Sequence, residues 1–583
     1  MTPEAKIYTE RIDDIPLLVS QQEKMGIPEV LDRVIRPHGN RQGLSVGWLI
    51  TGWLSYIVSE GDHRMVEVEG WVADHQESLS HLIPHPVRVK DFTDDRLADV
   101  LGLLSKDEVW DEVESQLGQH LIRVYDLKTD RIRLDSTSVS VYHDEEGQTL
   151  FRKGHSKDHR PDLAQFKVML GALDPLGLPV ATLVVPGNCA DDPLYLPTFR
   201  RARKVVGTGG RLYIGDTKMG ALETRAFIEA GDDFYLSPLA QVGDVGEIMQ
   251  ELLVPVYEGR QDLQRIETES VKAQEGEGEA GDAEPLALGF EGVRQQQACI
   301  DDQEITWQER LLVIHSPQLA RKRHKGLDGR LGRAEKALLE LTPQRGRGKK
   351  QWEDLGKLEG AVEAILKKHR VDGLLEVCYA KEVEKRAVRQ YKDRPARTEE
   401  RIRYVLNVHY NGDAIHQARR MLGWRLFVTN APKETLDFSE AVKVYRGSAH
   451  IEHNFARLKG RPLGIRPFYV QREDHAKGLG RLMSLALRVL TLIEYVVREN
   501  LQGDEEALAG LYAGNPKRKT ERPTTERLLK AFKGLALTLV ELSDQTIRHV
   551  TPLSDLQRRI LKLVGLSTSI YEDLTLPGDP IPL

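Results

Sequence analysis

Along residues 1–125, apolar positions recur every three or four places. IPEVLDRVI, VGWLITGWLSYIV and DDRLADVLGLL each carry the period of a helix with one buried face. Ser45 precedes the Trp48 segment and Thr93-Asp94-Asp95 precedes the Leu97 segment, which are helix-start signals. The pattern predicts a mostly helical domain over 1–125. At about residue 130 the period changes to two. RIRLDSTSVSVYH alternates at Ile132 and Leu134 and again at Val139 and Val141, the mark of a strand. FKVMLGALDPLG and LPVATLVVPGN follow as two apolar runs joined at Pro-Leu-Gly. After them come a helix (YLPTFRRARKVV), a strand ending in a turn (RLYIGDTKMG), a helix (ALETRAFIEAG) and a strand (DFYLSPL). Strands and helices in that order predict a mixed α/β domain over 126–240.

From 241 to 430 the pattern is heterogeneous. ELLVPVYEG, ERLLVIHSP, IRYVLNVHYN and WRLFVTNAP read as strands, around an acidic Gly-rich stretch and a helical hairpin at 330–341 and 352–369. Residues 431–500 return to helix. In YRGSAHIEHNFARLKG (445–460), Ile451, Phe455 and Leu458 form an apolar stripe. Tyr445, Glu452 and Lys459, seven apart, share one face of a continuous helix that Gly460 and Pro462 end. GLGRLMSLALRVLTLIEYVV is interrupted by Arg481 and Arg488, so it reads as a buried core helix and not a membrane span. Residues 501–583 hold a basic stretch and short helix-like pieces.

A chain of 583 residues is too long for one core. With 29% charged and 40% hydrophobic residues it reads as soluble and globular. MTPEAKIYTERIDD lacks the apolar core of a signal peptide. Cys189, Cys299 and Cys378 are far apart, which argues for a reducing cytoplasm and against a disulfide framework or a cysteine zinc site. The net charge of −7 argues against a nucleic-acid partner only on average. Residues 321–350 hold eleven Lys or Arg against three acidic residues, what a phosphate-binding surface needs and also what a solvated helix face looks like.

Three carboxylates stand out by position. Asp135 lies within the first strand beside small Ser136 and Thr137, Asp216 ends the YIGD strand, and Glu452 sits on a helix after a long insertion. Singly, a strand Asp is ordinarily an edge residue and an Asp after a strand a turn former. As a set, in this order, they match the ribonuclease-H-like catalytic fold. With LDSTSVSV, YIGDTKMG and Y-x6-E-x6-K, the chain resembles a DDE-type insertion-sequence transposase. The likeness is to the hairpin-forming Y-R-E-K branch of the insertion sequence four superfamily. GHSKDHRPDLAQ (154–165) and RLKGRPLGIRPFYVQREDHAKGL (457–479) resemble the subgroup numbered sixteen-thirty-four. The branch signature is Y-x2-R-x3-E-x6-K, and its Arg position is Ser448 here. Arg446 lies about 200° away around a continuous helix, so it does not replace that arginine.

The resemblance implies an α/β (α+β) ribonuclease-H-like mixed-sheet core over 126–240 and 431–500. A large β-plus-helical insertion (241–430) interrupts it, with a helical DNA-binding domain (1–125) before and a helical region (501–583) after. It implies Asp135, Asp216 and Glu452 as the catalytic residues, holding two Mg²⁺ or Mn²⁺ ions. Oxygen ligands suit these hard cations. It implies DNA contacts by Tyr445 and Lys459, by Lys153, Lys157 and Arg160 of the GHSKDHR loop, and by Arg345, Arg347, Lys349 and Lys350 of the basic hairpin. His155 and His159 lack a third metal ligand, and His450 and His453 are second-rank or structural. Trp307, Trp352 and Trp424 are the aromatics on which a flipped base would stack. The implied partners are double-stranded DNA, as terminal inverted repeats and target, and a second copy of the chain in the DNA complex, with no membrane. The implied place is the cytoplasm, at the nucleoid. A metal-dependent nuclease without strand transfer, and a DNA-binding protein derived from an inactive transposase, are the alternatives.

Overall fold

The pattern change at residue 130 is where the central sheet begins. A computed structural model describes residues 6–36, 42–241, 243–267, 284–300, 302–344, 346, 349, 351–389, 397–503, 506–542 and 545–576. Arg345, Arg347 and Lys350 of the basic turn lie outside them. The chain divides into two units: residues 1–240, 294–310 and 428–583, and residues 241–293 and 311–427.

The first unit is built on helix α1 (Asp107–Val124), strands β1 (Arg131–Val141), β2 (Ala164–Leu173) and β3 (Pro179–Pro186), helix α2 (Tyr195–Val206) and strands β4 (Leu212–Ile214) and β5 (Phe234–Pro238). Helices α3 (Phe438–Arg446), α4 (Ala449–Lys459) and α5 (Glu473–Gln502) complete it. The sheet order is β3-β2-β1-β4-β5. β1 is antiparallel to β2 and parallel to β4, and β4 is parallel to β5. Beyond β5 the sheet continues in residues 428–429, 303–310 and 294–300 of the same unit. β2, AQFKVMLGAL, is buried along its whole length, with apolar residues on both faces and the polar Gln165 and Lys167 enclosed among them.

Helix α5 is the unit's central helix. Its apolar residues from Leu479 to Ile493 are almost completely buried, and so are Arg481 and Arg488. Arg488 donates to Glu114 of α1 at 2.7 Å, and Arg481 pairs with Asp107 of the same helix. The two arginines that interrupt the apolar run are therefore the rivets between α5 and the preceding helical region. No helix among the described residues is long and apolar enough to cross a membrane. Ser45 caps its helix as its position predicts, its hydroxyl accepting from the Trp48 N–H. Thr93 precedes its helix without such a side-chain bond.

Three expectations are corrected. Residues 6–11, next to the predicted helices, form a strand. It pairs with Ala536–Glu541, which pairs with Thr546–Val550, so the region after 501 is not wholly helical. ELLVPVYEG belongs to the helix Asp244–Tyr257, since a short apolar run has no period of its own to distinguish strand from helix. Segment 445–459 is two helices, not one. Gly447 ends α3, and α4 begins at Ala449.

The second unit contains a ribbon of two fourteen-residue antiparallel strands, Leu375–Val388 and Arg397–Tyr410. Its helices Pro317–Leu341 and Leu355–His369 pack around Leu327, Leu331, Leu338, Leu358 and Val362, with Leu375 and Leu406 from the ribbon. The first helix starts thirteen residues before the predicted 330 because Ser316 caps it and Pro317 opens it.

Candidate active site

The register between β1 and β4 brings two of the predicted carboxylates together. Arg131 stands opposite Leu212 and Arg133 opposite Ile214, a constant offset of 81 residues. Asp216 follows Asp135 by the same 81, so the two aspartates lie level at neighbouring positions although pairing stops at Ile214. Their charges oppose one another. Burial raises the Asp135 carboxyl, Asp216 adds to the rise, and Lys157 and the Ser136 N–H work against it. Asp216 accepts from the Tyr195 hydroxyl of α2 at 2.6 Å and from the Lys218 N–H at 2.8 Å. Burial, then Asp216 and Asp135, hold that phenol protonated well above its ordinary range. Gly215 makes the approach possible, because a Cβ there would lie 3.0 Å from the Tyr195 ring and 2.7 Å from the Met219 sulfur.

The third carboxylate arrives on α4, which packs beside β1. Arg133, two residues before Asp135 and on the same strand face, sets that packing. Its guanidinium bonds the buried Asp174 at 3.1 Å and donates to the carbonyls of Val444 (2.5 Å) and Tyr445 (3.3 Å), the last turn of α3. The chain then turns at Gly447 into α4. Asn454 donates to the Gly177 carbonyl at 2.5 Å, fixing α4 on the turn between β2 and β3. The predicted stripe of Ile451, Phe455 and Leu458 is buried, and Glu452 is exposed on the other side. Ser448, in the place of the branch arginine, donates to Glu452 at 2.9 Å. Tyr445 is on α3, so it does not share a helix face with Glu452 and Lys459, and the 200° separation of Arg446 does not hold across the break.

The GHSKDHR loop faces inward at its middle. Lys157 reaches Asp135 at 3.3 Å and Asp191 at 3.6 Å. Its neighbour Asp158 takes Lys459 at 2.6 Å, Arg466 at 3.1 Å and the Ser140 hydroxyl at 3.3 Å. Burial lowers the Lys459 ammonium, partly offset by Asp158. One loop thus ties the end of α4 to the strand of Asp135. Lys153 pairs with Glu145, and Arg160 with Asp162 at 2.7 Å while lying over the Tyr142 ring. Lys349 is exposed in the second unit.

Four groups escape the sequence reading: Arg133, Asp158, Asp191 and Tyr195. Asp191, in the turn NCADD, bonds Lys167 at 2.6 Å. Burial pushes its carboxyl up, but Lys167 and Lys157 outweigh that and leave it below the usual range. Arg133 alone carried a signal, a second charge at period two from Asp135 inside an apolar strand. Two of the three candidate base-stacking tryptophans are enclosed. Trp307 and Trp424 are buried, with the Trp307 indole bonded to the Tyr235 hydroxyl at 2.8 Å, and the Trp352 indole donates to the Leu341 carbonyl at 2.8 Å. A separate group, His453, Glu494 and Glu526, has ligand atoms within 4.8 Å of one another. Arg457 donates to both glutamates, at 2.6 Å to Glu526, so the guanidinium already fills that role.

Residues 126–488, which begin just before β1 and end in α5, match the family described as Transposase DDE domain. The chain belongs to the DDE transposase family. Membership implies an enzyme that cleaves DNA and transfers strands, and the match takes in the whole second unit as well as the carboxylates of the first. No curated protein matches the chain. Among solved structures it is similar to one described as the piggyBac transposase synaptic complex with hairpin DNA. There the TM-score is 0.35, the identity 8%, and the coverage 99% of this chain and 88% of the other.

Proposed function

We propose that this transposase binds the terminal inverted repeats of an insertion sequence, cleaves them through a hairpin intermediate and joins the freed ends to target DNA. The carrying observation is the level pair of Asp135 on β1 and Asp216 just past the end of the adjacent parallel strand β4, with the helix of Glu452 beside β1. Two like charges held together in a partly buried place disfavour each other's ionised form, and a cation shared between them relieves that cost. The donor set is carboxylate oxygen only, which fits Mg²⁺ or Mn²⁺ and does not suit zinc. The order of strands and helices supports a ribonuclease-H-like core of the Y-R-E-K branch.

Asp135, Asp216 and Glu452 would hold two divalent ions, which when bound activate the attacking oxygen and stabilise the leaving one. The Tyr195 hydroxyl orients Asp216, and Ser448 orients Glu452, each by one hydrogen bond at 2.6 and 2.9 Å. Lys459, held by Asp158 at the end of α4, would take a DNA phosphate on exchanging that partner. Lys153, Arg160 and Tyr445 lie on the elements around it. In the second unit Lys349 and the exposed cations of Pro317–Leu341 supply a phosphate-binding surface. Cleavage of both ends in one complex calls for a homodimer on DNA.

The test is incubation with Mg²⁺ and DNA carrying the inverted repeats that flank the gene, beside Glu452→Gln. Nicks, hairpins and joined product in the wild type alone are expected. No nick or hairpin would overturn the proposal, and cleavage without joining would make the chain a nuclease.

A further inference from the structure

Lys157 sits where a cation for Asp135 belongs. Its ammonium lies 2.7 Å from the Ser136 carbonyl, 2.9 Å from the Ser136 hydroxyl, 3.3 Å from Asp135 Oδ1 and 3.6 Å from Asp191 Oδ2. An ammonium has three protons, and four acceptors surround this one. Ser136 and Asp135 take the three, so Asp191 is a Coulombic neighbour just outside donor distance. Asp191 is itself fixed. Its other oxygen accepts from Lys167 at 2.6 Å, and that lysine, almost fully buried, also donates to the Cys189 carbonyl at 2.7 Å. The Lys157 backbone is fixed as well, by its N–H on the Ser138 hydroxyl at 3.3 Å and by the ion pairs of Asp158 beside it. The ammonium at the end of the stem lies between Asp135 on one side and Asp191 on the other.

The geometry points to Lys157 as a built-in counter-ion of Asp135, which a divalent cation must displace and which Asp191 then receives. This rests on the reading of Asp135 as a metal ligand. Before metal binds, the ammonium neutralises this half-buried carboxylate, and a divalent ion is taken up in exchange for the ammonium and not added to an open charge. Lys157 is thus a positioning residue that opposes metal binding in the absence of DNA. Asp191 is the group that keeps the opposition moderate, by offering the ammonium a second resting place.

Mn²⁺ alone, titrated by calorimetry into the metal-free full chain at fixed pH and ionic strength, tests this. Lys157→Met keeps the stem and removes the charge, and is expected to bind roughly tenfold tighter than wild type. Asp191→Asn keeps an acceptor for Lys167 but not the charge, and is expected to bind severalfold weaker. The double variant is expected to match Lys157→Met, because Asp191 acts through the ammonium. Lys157→Gln replaces Lys157→Met if the latter melts early. Unchanged or weaker binding without the lysine charge overturns the inference. So does an equal loss from Asp191→Asn in both backgrounds, which would make Asp191 a ligand itself. Asp216→Asn separates the two readings. If it leaves Mn²⁺ binding untouched, the metal site of the proposed function fails. If it abolishes binding while Lys157→Met gains nothing, only the exchange fails.

Discussion

The two units treat positive charge in opposite ways. In the first, cations are buried beside carboxylates: Arg488 with Glu114, Arg133 with Asp174, Lys167 with Asp191, Arg457 with Glu494 and Glu526. In the second, Lys322, Lys325, Arg333, Lys336, Lys357 and Lys368 stand exposed on two helices whose other faces close over leucines. A buried pair fixes geometry, since moving either member strands a charge away from water. An exposed row creates a field that salt screens and that any nearby phosphate can answer. Alignment of reacting groups thus belongs to the first unit, and attraction without fine geometry suits the second.

The comparison breaks first at the site. Asp135→Asn or Asp216→Asn is expected to cut DNA cleavage about a thousandfold or more, measured as nicking of a repeat-bearing duplex. Residual activity within tenfold of wild type would remove these aspartates from the chemistry. Next comes a rivet. Arg488→Met leaves Glu114 buried against Arg201 at 3.7 Å as its remaining cation. The expected loss is about 3–5 kcal/mol, read from the urea midpoint, with partial recovery in Arg488→Met/Glu114→Gln. The exposed row sharpens the contrast. Lys322, Lys325, Arg333 and Lys336 changed together to Gln are expected to weaken DNA binding about ten- to a hundredfold at moderate salt. The slope of log affinity on log salt becomes shallower by about 0.9 for each phosphate no longer neutralised. An unchanged slope would take that helix out of the DNA interface.

The smallest effect probes a carboxylate without a cation. Asp14 is held by the Ser59 hydroxyl at 2.6 Å, and burial pushes its pKa up to about 6. A folded-state pKa above the unfolded value of about 4 means that the protonated form favours folding. That contribution is complete below about pH 4 and is lost as pH rises through about 6. Asp14→Asn is expected to melt later than wild type at pH 7.5, by about 1–2 kcal/mol of stability, with the advantage shrinking toward pH 4.5. An advantage equal at both values would assign it to something other than the charge.

Much of the site was legible because its parts are local or periodic. The strand of Asp135, the turn after Asp216 and the 81 residues between them can all be read along the chain, and the parallel register turns that spacing into proximity. The buried stripe of α4 was legible for the same reason. The break at Gly447 was not, because its cause is remote. Arg133 takes the carbonyls of residues 444 and 445 from 311 and 312 residues away in sequence. Asp191 and Asp158 escaped because neither has a periodic neighbour. The partners of Asp191, Lys167 and Lys157, and the partner of Asp158, Lys459, come from other segments of the chain. The strand at residues 6–11 escaped because its pairing partner lies more than five hundred residues away.

That last pairing sets a clock. Residues 6–11 are made first and wait for residues 536–541 before their hydrogen bonds can form. At roughly 5–20 residues per second, the interval is about half a minute to two minutes. The three-stranded sheet therefore closes only after its second and third strands have been made, and a chain stalled before residue 536 carries a lone strand where the longer one has a sheet.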